Sequence, residues 1–462
     1  MKILLVKPYS FGDHIQPPLG LGYLATALRK ENDVKIIDCL KEGLDNNGLL
    51  EEILRFRPNL LGVQLYTSNI KTVKDILSKT KNLNKNIITV VGGPHPSSCS
   101  DSILTLFGNL LDYAFSGEAE KGFPLLIKKI ENKIQNLDDI PGLVWRNNDK
   151  TVTNEKYLEK NLDSLSMVAW DLIKPEEYPE SQHGAFYKNF PIAPIIATRG
   201  CPYKCSFCAG FNITGRKIRS RGIEHVLSEI KFLYYNHSIR EIHIVDDNFT
   251  LNKKYAKKFC EELIALGLDL SWATPNGVRL DSLDTELLRL MKKSGLYIIS
   301  LGIESGSERI LQSTIKHLNL AKIKEKVKLI RKEEIDIAAF FVLGFPGESK
   351  EEIKKTIDLS LELDLIRANY FTFLPFPGTK SYSDLLKSDE LENVDWDHFY
   401  FTSAPYSPKN ISHKELRHYQ KMAFMKFYLR PKIIFKNLIQ IKSMKHFKFL
   451  CKRFYHWLVR TA

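Results

Sequence analysis

Cys201, Cys205 and Cys208 stand in the run Thr198-Arg199-Gly200-Cys201-Pro202-Tyr203-Lys204-Cys205-Ser206-Phe207-Cys208. Three thiolates spaced CxxxCxxC can hold three corners of a cubane iron–sulfur cluster on one short loop, although such clusters normally take four thiolates. No fourth cysteine lies nearby, so one iron is left for a ligand that is not protein. A structural zinc site wants four protein ligands and no vacancy. The missing ligand therefore points to a reactive centre. The same thiols could also belong to a zinc knuckle completed by a distant histidine, or be ordinary core cysteines.

The elements that must position this loop alternate in type. Between Pro191 and about Leu386, strands are expected at Ile195–Thr198, Glu241–Val245, Leu270–Thr274, Tyr297–Ile303, Ile337–Leu343 and Tyr370–Phe373, with helical stretches between them. Polar or glycine residues follow the later strands. They are Asp246-Asp247-Asn248-Phe249, then Asn276 and Arg279, then Glu304-Ser305-Gly306-Ser307, Gly344-Phe345-Pro346-Gly347-Glu348 and Pro375-Phe376-Pro377-Gly378-Thr379. The carboxylates at 246 and 247 could accept hydrogen bonds from a bound ammonium, orient a substrate or cap a helix, where Asp and Asn are favoured.

The N-terminal stretch alternates too. Apolar runs at Ile3–Val6, Val34–Ile37, Leu60–Leu65, Ile87–Val91 and Tyr113–Phe115 argue a doubly wound parallel sheet ending near Gln135. Ligands of such sheets bind outside the carboxyl ends of the strands. Small residues gather there: Thr67-Ser68, Gly92-Gly93-Pro94-His95 and Gly117-Glu118-Ala119-Glu120. Glycine at such ends lets the backbone approach a bulky ligand closely. Pro141-Gly142 and Asn147-Asn148-Asp149 are turn chemistry around a short hairpin in a connecting stretch. The expected division is 1–137, a connector at 138–190, a second α/β domain at 191–400 and a C-terminal region at 401–462.

At about 150 residues per domain, 462 residues suggest three modules with sizeable cores. The run Met1-Lys-Ile-Leu-Leu-Val-Lys7 is too short for a secretory leader and reads as a buried strand. No stretch approaches the roughly 20 apolar residues of a membrane span. Cys39, Cys99, Cys260 and Cys451 are scattered without pairing logic, a pattern of the reducing cytoplasm. From Lys409 onward there are 14 of the 67 Lys and Arg but one of the 54 acids, so the remainder is neutral and the whole formal charge of +13 sits in the tail.

The cysteine loop, with Phe207 in the aromatic position before the last cysteine, resembles the cluster-binding signature of the radical S-adenosylmethionine (radical SAM) enzymes. The resemblance implies that Cys201, Cys205 and Cys208 hold a [4Fe-4S] cluster whose open iron takes the amino and carboxylate groups of SAM. The ordered strand ends resemble those of the family's partial (β/α)6 barrel. They imply SAM contacts from Phe207, Asp246, Asp247, Asn276, Arg279, Glu304, Ser305, Gly344 and Pro346. The N-terminal sheet, with Gln16-Pro-Pro-Leu-Gly-Leu-Gly-Tyr-Leu-Ala25 after its first strand, resembles the cobalamin-binding domain of a radical SAM subfamily. That implies cobalamin contacts from Pro18, Leu19, Gly20, Thr67, Ser68, Gly92, Gly93, Gly117 and Glu118. Two features depart from other cobalamin domains. The DxHxxG loop is absent, since Asp13-His14 does not fit it, which implies cobalt without a histidine ligand. Gln64 stands where a serine often follows the third strand.

The resemblance covers roughly residues 1–400. It implies an enzyme that transfers a methyl group from methylcobalamin to an unactivated carbon after a 5′-deoxyadenosyl radical has removed hydrogen, with a second SAM restoring the methyl. The alternatives are an oxidative cyclase of the same subfamily and a non-catalytic corrinoid or iron–sulfur carrier. A methylthiotransferase would need three more N-terminal cysteines, and only Cys39 and Cys99 are present. A flavodoxin or ferredoxin is the implied electron donor, and a small or lipid-like molecule the substrate. The tail interleaves cations with Phe424, Phe427, Tyr428, Phe435, Phe447, Phe449, Phe454, Tyr455 and Trp457. This suits a helical cap before Ile441 and contact with an anionic membrane surface beyond it, placing the protein in the cytoplasm at the inner membrane face. Nucleic acid is the lesser candidate for the same cations.

Overall fold

The computed structural model describes residues 1–10, 15–148, 150–180, 187–392 and 394–451. Asp13, His14 and the last three aromatic residues named in the tail lie outside them. Two compact units emerge. One comprises Met1–Tyr178 with Gly200–Pro202 and Ala209–Arg221, the other Pro179–Arg199, Tyr203–Cys208 and Gly222–Ala462. The cysteine run is thus divided, with Cys201 in the first unit and Cys205 and Cys208 in the second.

In the first unit the expected apolar runs fold as β1 (Lys2–Lys7), β2 (Asp33–Asp38), β3 (Leu60–Gln64), β4 (Ile88–Gly92) and β5 (Tyr113–Phe115). They read as continuous apolar runs because a parallel sheet is covered on both faces; Ile3, Leu4, Leu5 and Val6 are all buried. The strands pair in the order β2-β1-β3-β4-β5, all parallel, and the order reverses between β1 and β3. One face packs Leu4, Val6, Leu61, Val63 and Val91 against Leu49, Ile53, Val73, Ile76 and Leu77 of the helices Asn46–Phe56 and Ile70–Leu83. The hairpin of the connecting stretch, β6 (Leu143–Asn147) and β7 (Lys150–Thr153), adds antiparallel to β5 and extends this sheet. Asn154 fastens it by donating from Nδ2 to the carbonyls of Leu137 (2.7 Å) and Ile140 (2.8 Å).

The second unit opens with β8 (Ile192–Ile195) and the two-residue strand β9 (Thr198–Arg199), which precedes the cysteine run, while the two-residue strand β10 (Arg219–Ser220) that follows the run belongs to the first unit. Then come β11 (Glu241–Ile244), β12 (Ser271–Val278), β13 (Leu296–Glu304), β14 (Asp336–Leu343) and β15 (Arg367–Thr372). They form a six-stranded parallel sheet in the order β15-β14-β13-β12-β11-β8, the sequential order of a βα-barrel. The intervening helices start at side-chain caps, Asn252, Asp284, Asn319 and Ser349, the last forming a capping box with Glu352.

Two strand limits differ from expectation. The first barrel strand ends at Ile195, because the Asp246 carboxylate takes the backbone N–H groups of Ala197 and Thr198 (both 2.8 Å) and draws the chain off the ladder. The third continues through an irregularity between Thr274 and Val278, where Gly277 has φ +91°, so Asn276 lies within the strand rather than after it.

The helices His413–Tyr428 and Pro431–Ile439 cap this unit. Leu416, Ala423, Phe427 and Ile433 are buried, and Gln420 Nε2 donates to the Tyr370 carbonyl (2.6 Å). Among the described residues no helix is long and apolar enough to cross a membrane.

Candidate active site

Cys201, Cys205 and Cys208 form no disulfide; the first two are half-buried and the third exposed. Among the described residues no three His, Cys, Asp or Glu side chains are gathered into a preformed metal cage. Each end of the run is nevertheless held. Gly200 has φ +96°, and a Cβ on it would stand 2.4 Å from the Lys217 carbonyl oxygen, so only glycine fits. The next residue, Cys201, donates its N–H to the Gly215 carbonyl at 3.2 Å. In the second unit, Ser206 donates its N–H to the Thr314 carbonyl (2.9 Å) and its hydroxyl to that of Ser313 (3.1 Å). Phe207 packs edge-on against Phe345, ring centres 5.7 Å apart.

Arg279, one of the implied SAM contacts, is engaged within the protein. Its guanidinium lies over the Tyr203 ring (3.5 Å), pairs with Asp281 (3.0 Å) and donates to the Lys316 carbonyl (2.6 Å). Its Nη1 reaches Cys205 Sγ at 4.0 Å. The side chain therefore carries a fixed positive charge to one of the motif thiols.

Asp246 neither caps a helix nor faces open space. It is buried, with both oxygens engaged by Ala197 and Thr198, the Thr198 hydroxyl included (2.8 Å). Burial pushes its carboxyl up to about 7, against the pull of those donors. Asp247 is exposed, and Asn276 donates from Nδ2 to the Val245 carbonyl (2.7 Å). Glu304 closes β13 with φ +71°, rare for a residue with a side chain, and its carboxylate meets Lys316 Nζ at 2.5 Å in a buried pair. Ser305 is held by Thr356, hydroxyl to hydroxyl at 3.1 Å. Gly344 has φ +85°, and beside Pro346 the Glu348 carboxylate accepts the N–H groups of Gly344 (2.6 Å) and Phe345 (3.1 Å). Burial raises Glu348 to about 8.

Sequence reasoning passed over Asn248 and Lys316. Asn248 is 1 % exposed, and neither end of its amide has a protein partner. Such a group is costly to bury unsatisfied, so it could serve a ligand as donor and acceptor; the neighbouring acids were the only signal. Lys316 follows no strand and gave none.

In the first unit the carboxyl ends of β3, β4 and β5 form a cradle of small residues. Gly93 has φ +113°, and a Cβ there would lie 3.1 Å from the Leu65 carbonyl oxygen. Thr67 Oγ1 bonds His95 Nδ1 at 3.0 Å, and burial pushes the His95 imidazole down to about 4. Ser97 ties the loops, its hydroxyl donating to the Gly93 carbonyl (2.7 Å) and accepting from the Gly117 N–H (2.9 Å). Ser116 Oγ is buried without a partner. Pro18 and Leu19 are buried, Gly20 is exposed and Ser68 and Gly92 are half-buried. Glu118 is committed elsewhere, in a buried bidentate pair with Arg219 (2.7 and 2.9 Å).

Comparison with known proteins follows the same division. Residues 195–360 match the model of the radical SAM superfamily, and residues 13–127 match that of the B12 binding domain. A protein of Pyrococcus horikoshii named an uncharacterized methyltransferase is 31% identical over 100% of this chain and 98% of its own. An anaerobic magnesium-protoporphyrin IX monomethyl ester cyclase of Cereibacter sphaeroides is 28% identical over 93% of this chain and 71% of its own. The solved structure of the cobalamin-dependent S-adenosylmethionine radical enzyme OxsB superposes on 100% of this chain and 71% of its own, with TM-score 0.71 and 17% identity, a likeness of fold. The donor set agrees: three thiols outside any disulfide on one loop, an orphaned buried amide at a barrel strand end and a glycine-lined cradle at the carboxyl ends of β3, β4 and β5. The chain belongs to the cobalamin-binding radical SAM enzymes, whose cofactors are a [4Fe-4S] cluster, S-adenosylmethionine and cobalamin.

Proposed function

We propose that the protein methylates an unactivated carbon of a small molecule. The observation that carries the reading is the match over the full length of both chains to a relative named a methyltransferase, with both cofactor domains in one polypeptide. When bound, the cofactors supply a 5′-deoxyadenosyl radical and a methyl donor.

The chain's own residues bind, orient and shield. Cys201, Cys205 and Cys208 would hold the cluster, and Arg279 places a positive charge beside Cys205 that favours its reduced form. Asn248 and Ser305 offer hydrogen-bonding groups to SAM, with Phe207, Pro346 and the turn at Gly344 walling its adenine side. Glu304 is fixed by Lys316 and holds its strand end in shape. Asp246 acts one step away, by fixing the backbone of Ala197 and Thr198 just before the cysteine loop. Gly92, Gly93 and Gly117 let cobalamin approach the sheet, and Thr67, Ser68 and Ser116 offer it hydroxyls. Buried walls matter because carbon radicals react with whatever is near. A flavodoxin or ferredoxin delivers the electrons, and the basic tail meets the inner membrane surface.

A second reading, oxidative ring formation, is favoured by the cyclase relative. One assay separates the two. Turnover by methyl transfer yields 5′-deoxyadenosine and S-adenosylhomocysteine in equal amounts, because one SAM is spent on the radical and another on the methyl. A cyclase forms deoxyadenosine alone, and that product pattern with substrate present would sink the methyltransferase reading.

A further inference from the structure

Seven large apolar side chains are exposed between Leu429 and Phe447, out of eighteen among the described residues. On the helix Pro431–Ile439, Ile434, Phe435, Leu438 and Ile439 stand 41, 66, 57 and 64 % exposed, and their spacing places them on one side. Ile433 packs the other side into the second unit and is 1 % exposed. The helical stretch 444–451 adds Met444 and Phe447, and there His446 is the buried anchor, its ring 5.0 Å from that of Tyr187. Ser443 fastens the same stretch by donating to Glu180 (2.8 Å). The apolar side is therefore held outward by residues docked behind it.

Charge identifies the occupant. From Leu429 to Cys451 there are six Lys and Arg, namely Arg430, Lys432, Lys436, Lys442, Lys445 and Lys448, and no acid. A second copy of this chain would bring the same cations against them. A nucleic acid would answer the charge but not the aliphatic Ile434, Leu438, Ile439 and Met444. An anionic bilayer answers both, with acyl chains for the apolar side and headgroups for the flanking lysines.

We propose that the helix Pro431–Ile439 and the stretch 444–451 form a membrane-docking surface that lies on anionic phospholipid bilayers. This deepens the membrane contact suggested by the tail and does not depend on which reaction the enzyme performs. The helix is nine residues long, too short to span, so it rests in the interface with Phe435 and Leu438 as its apolar anchors.

The test uses the full-length, cofactor-loaded protein and sedimentation with vesicles of phosphatidylcholine alone or mixed with phosphatidylglycerol. Binding to the anionic vesicles is expected to be at least about tenfold tighter than to neutral ones and to weaken as salt rises. The double variant Phe435→Asp, Leu438→Asp should lose most of that binding while keeping the wild-type circular dichroism spectrum and SAM cleavage. Equal binding to both vesicle types, or undiminished binding by the double variant, would overturn the proposal. So would a concentration-dependent dimer abolished by that variant, or tight RNA binding without vesicle binding. Because SAM cleavage is read in parallel, loss of docking is separable from loss of the enzyme.

Discussion

Arg279 is where geometry adds a task to the one the resemblance implied. It stands just after β12, where the resemblance implied a SAM contact from it; its neighbours within the protein are Asp281, Tyr203, Lys316 and the Cys205 thiol. Cluster potentials follow net charge and hydrogen bonds to the sulfurs. A nearby cation favours an added electron by on the order of 1–3 kcal/mol, or roughly 50–130 mV for one electron. Arg279→Gln should lower the midpoint potential of the reconstituted cluster by that order, and Arg279→Lys should restore part of it, read by an EPR-monitored redox titration. An unchanged potential in the Gln variant would remove the role. His95 gives a pH-dependent outcome. Burial holds its imidazole near 4, so the folded protein resists a proton that the unfolded chain takes near 6.5. The neutral ring costs nothing above that pH, and stability falls as pH drops toward 4, by about 3 kcal/mol from this residue. Urea unfolding of the apoprotein at pH 7 and pH 4 should show that loss, and His95→Asn should flatten it. Asn248 and Lys316 escaped the sequence because their significance lies in what surrounds them: an amide buried without partners, and a lysine reaching back to Glu304 from beyond the strand.

At the level of elements, the apolar runs were legible because a doubly covered parallel strand buries nearly every residue. Five N-terminal strands and six barrel strands stand within a few residues of where their apolar runs put them. The misplaced limits have a shared origin in tertiary contacts. Asp246 takes hydrogen bonds that would have lengthened the first barrel strand, and a bulge lets β12 pass through Asn276. The hairpin of the connecting stretch was visible from Asn147-Asn148-Asp149, with Asn148 at φ +52°, but no local signal said that it would join the first sheet. The cysteine run depends on backbone shape as much as on its thiols. Gly200→Ala would force a β-carbon 2.4 Å from the Lys217 carbonyl in a left-handed conformation. The variant should lose roughly 1–3 kcal/mol of stability and bind markedly less iron per chain after reconstitution, measured by melting temperature and iron content. Wild-type values for both would mean that the loop tolerates the strain.

For the molecule as a whole, the neutral body and the basic tail divide the work. The body carries two cofactor-binding units with matched family models, and the tail carries the entire formal excess charge and an outward apolar side. The family was legible because cluster ligation needs fixed thiol spacing and because barrel and sheet both present their chemistry at strand ends. The substrate was not, since its recognition leaves no signature of fixed residue types and spacing such as the cluster thiols have. The most direct test of the central claim is anaerobic. The protein is reconstituted with iron, sulfide and hydroxocobalamin, supplied with dithionite and SAM, and assayed for 5′-deoxyadenosine while the bound corrin absorbance is recorded. Deoxyadenosine formation with one corrinoid per chain is the expected result. An intact, reducible cluster that cleaves no SAM even with substrate-containing extract, on a protein that retains no corrinoid, would contradict the account.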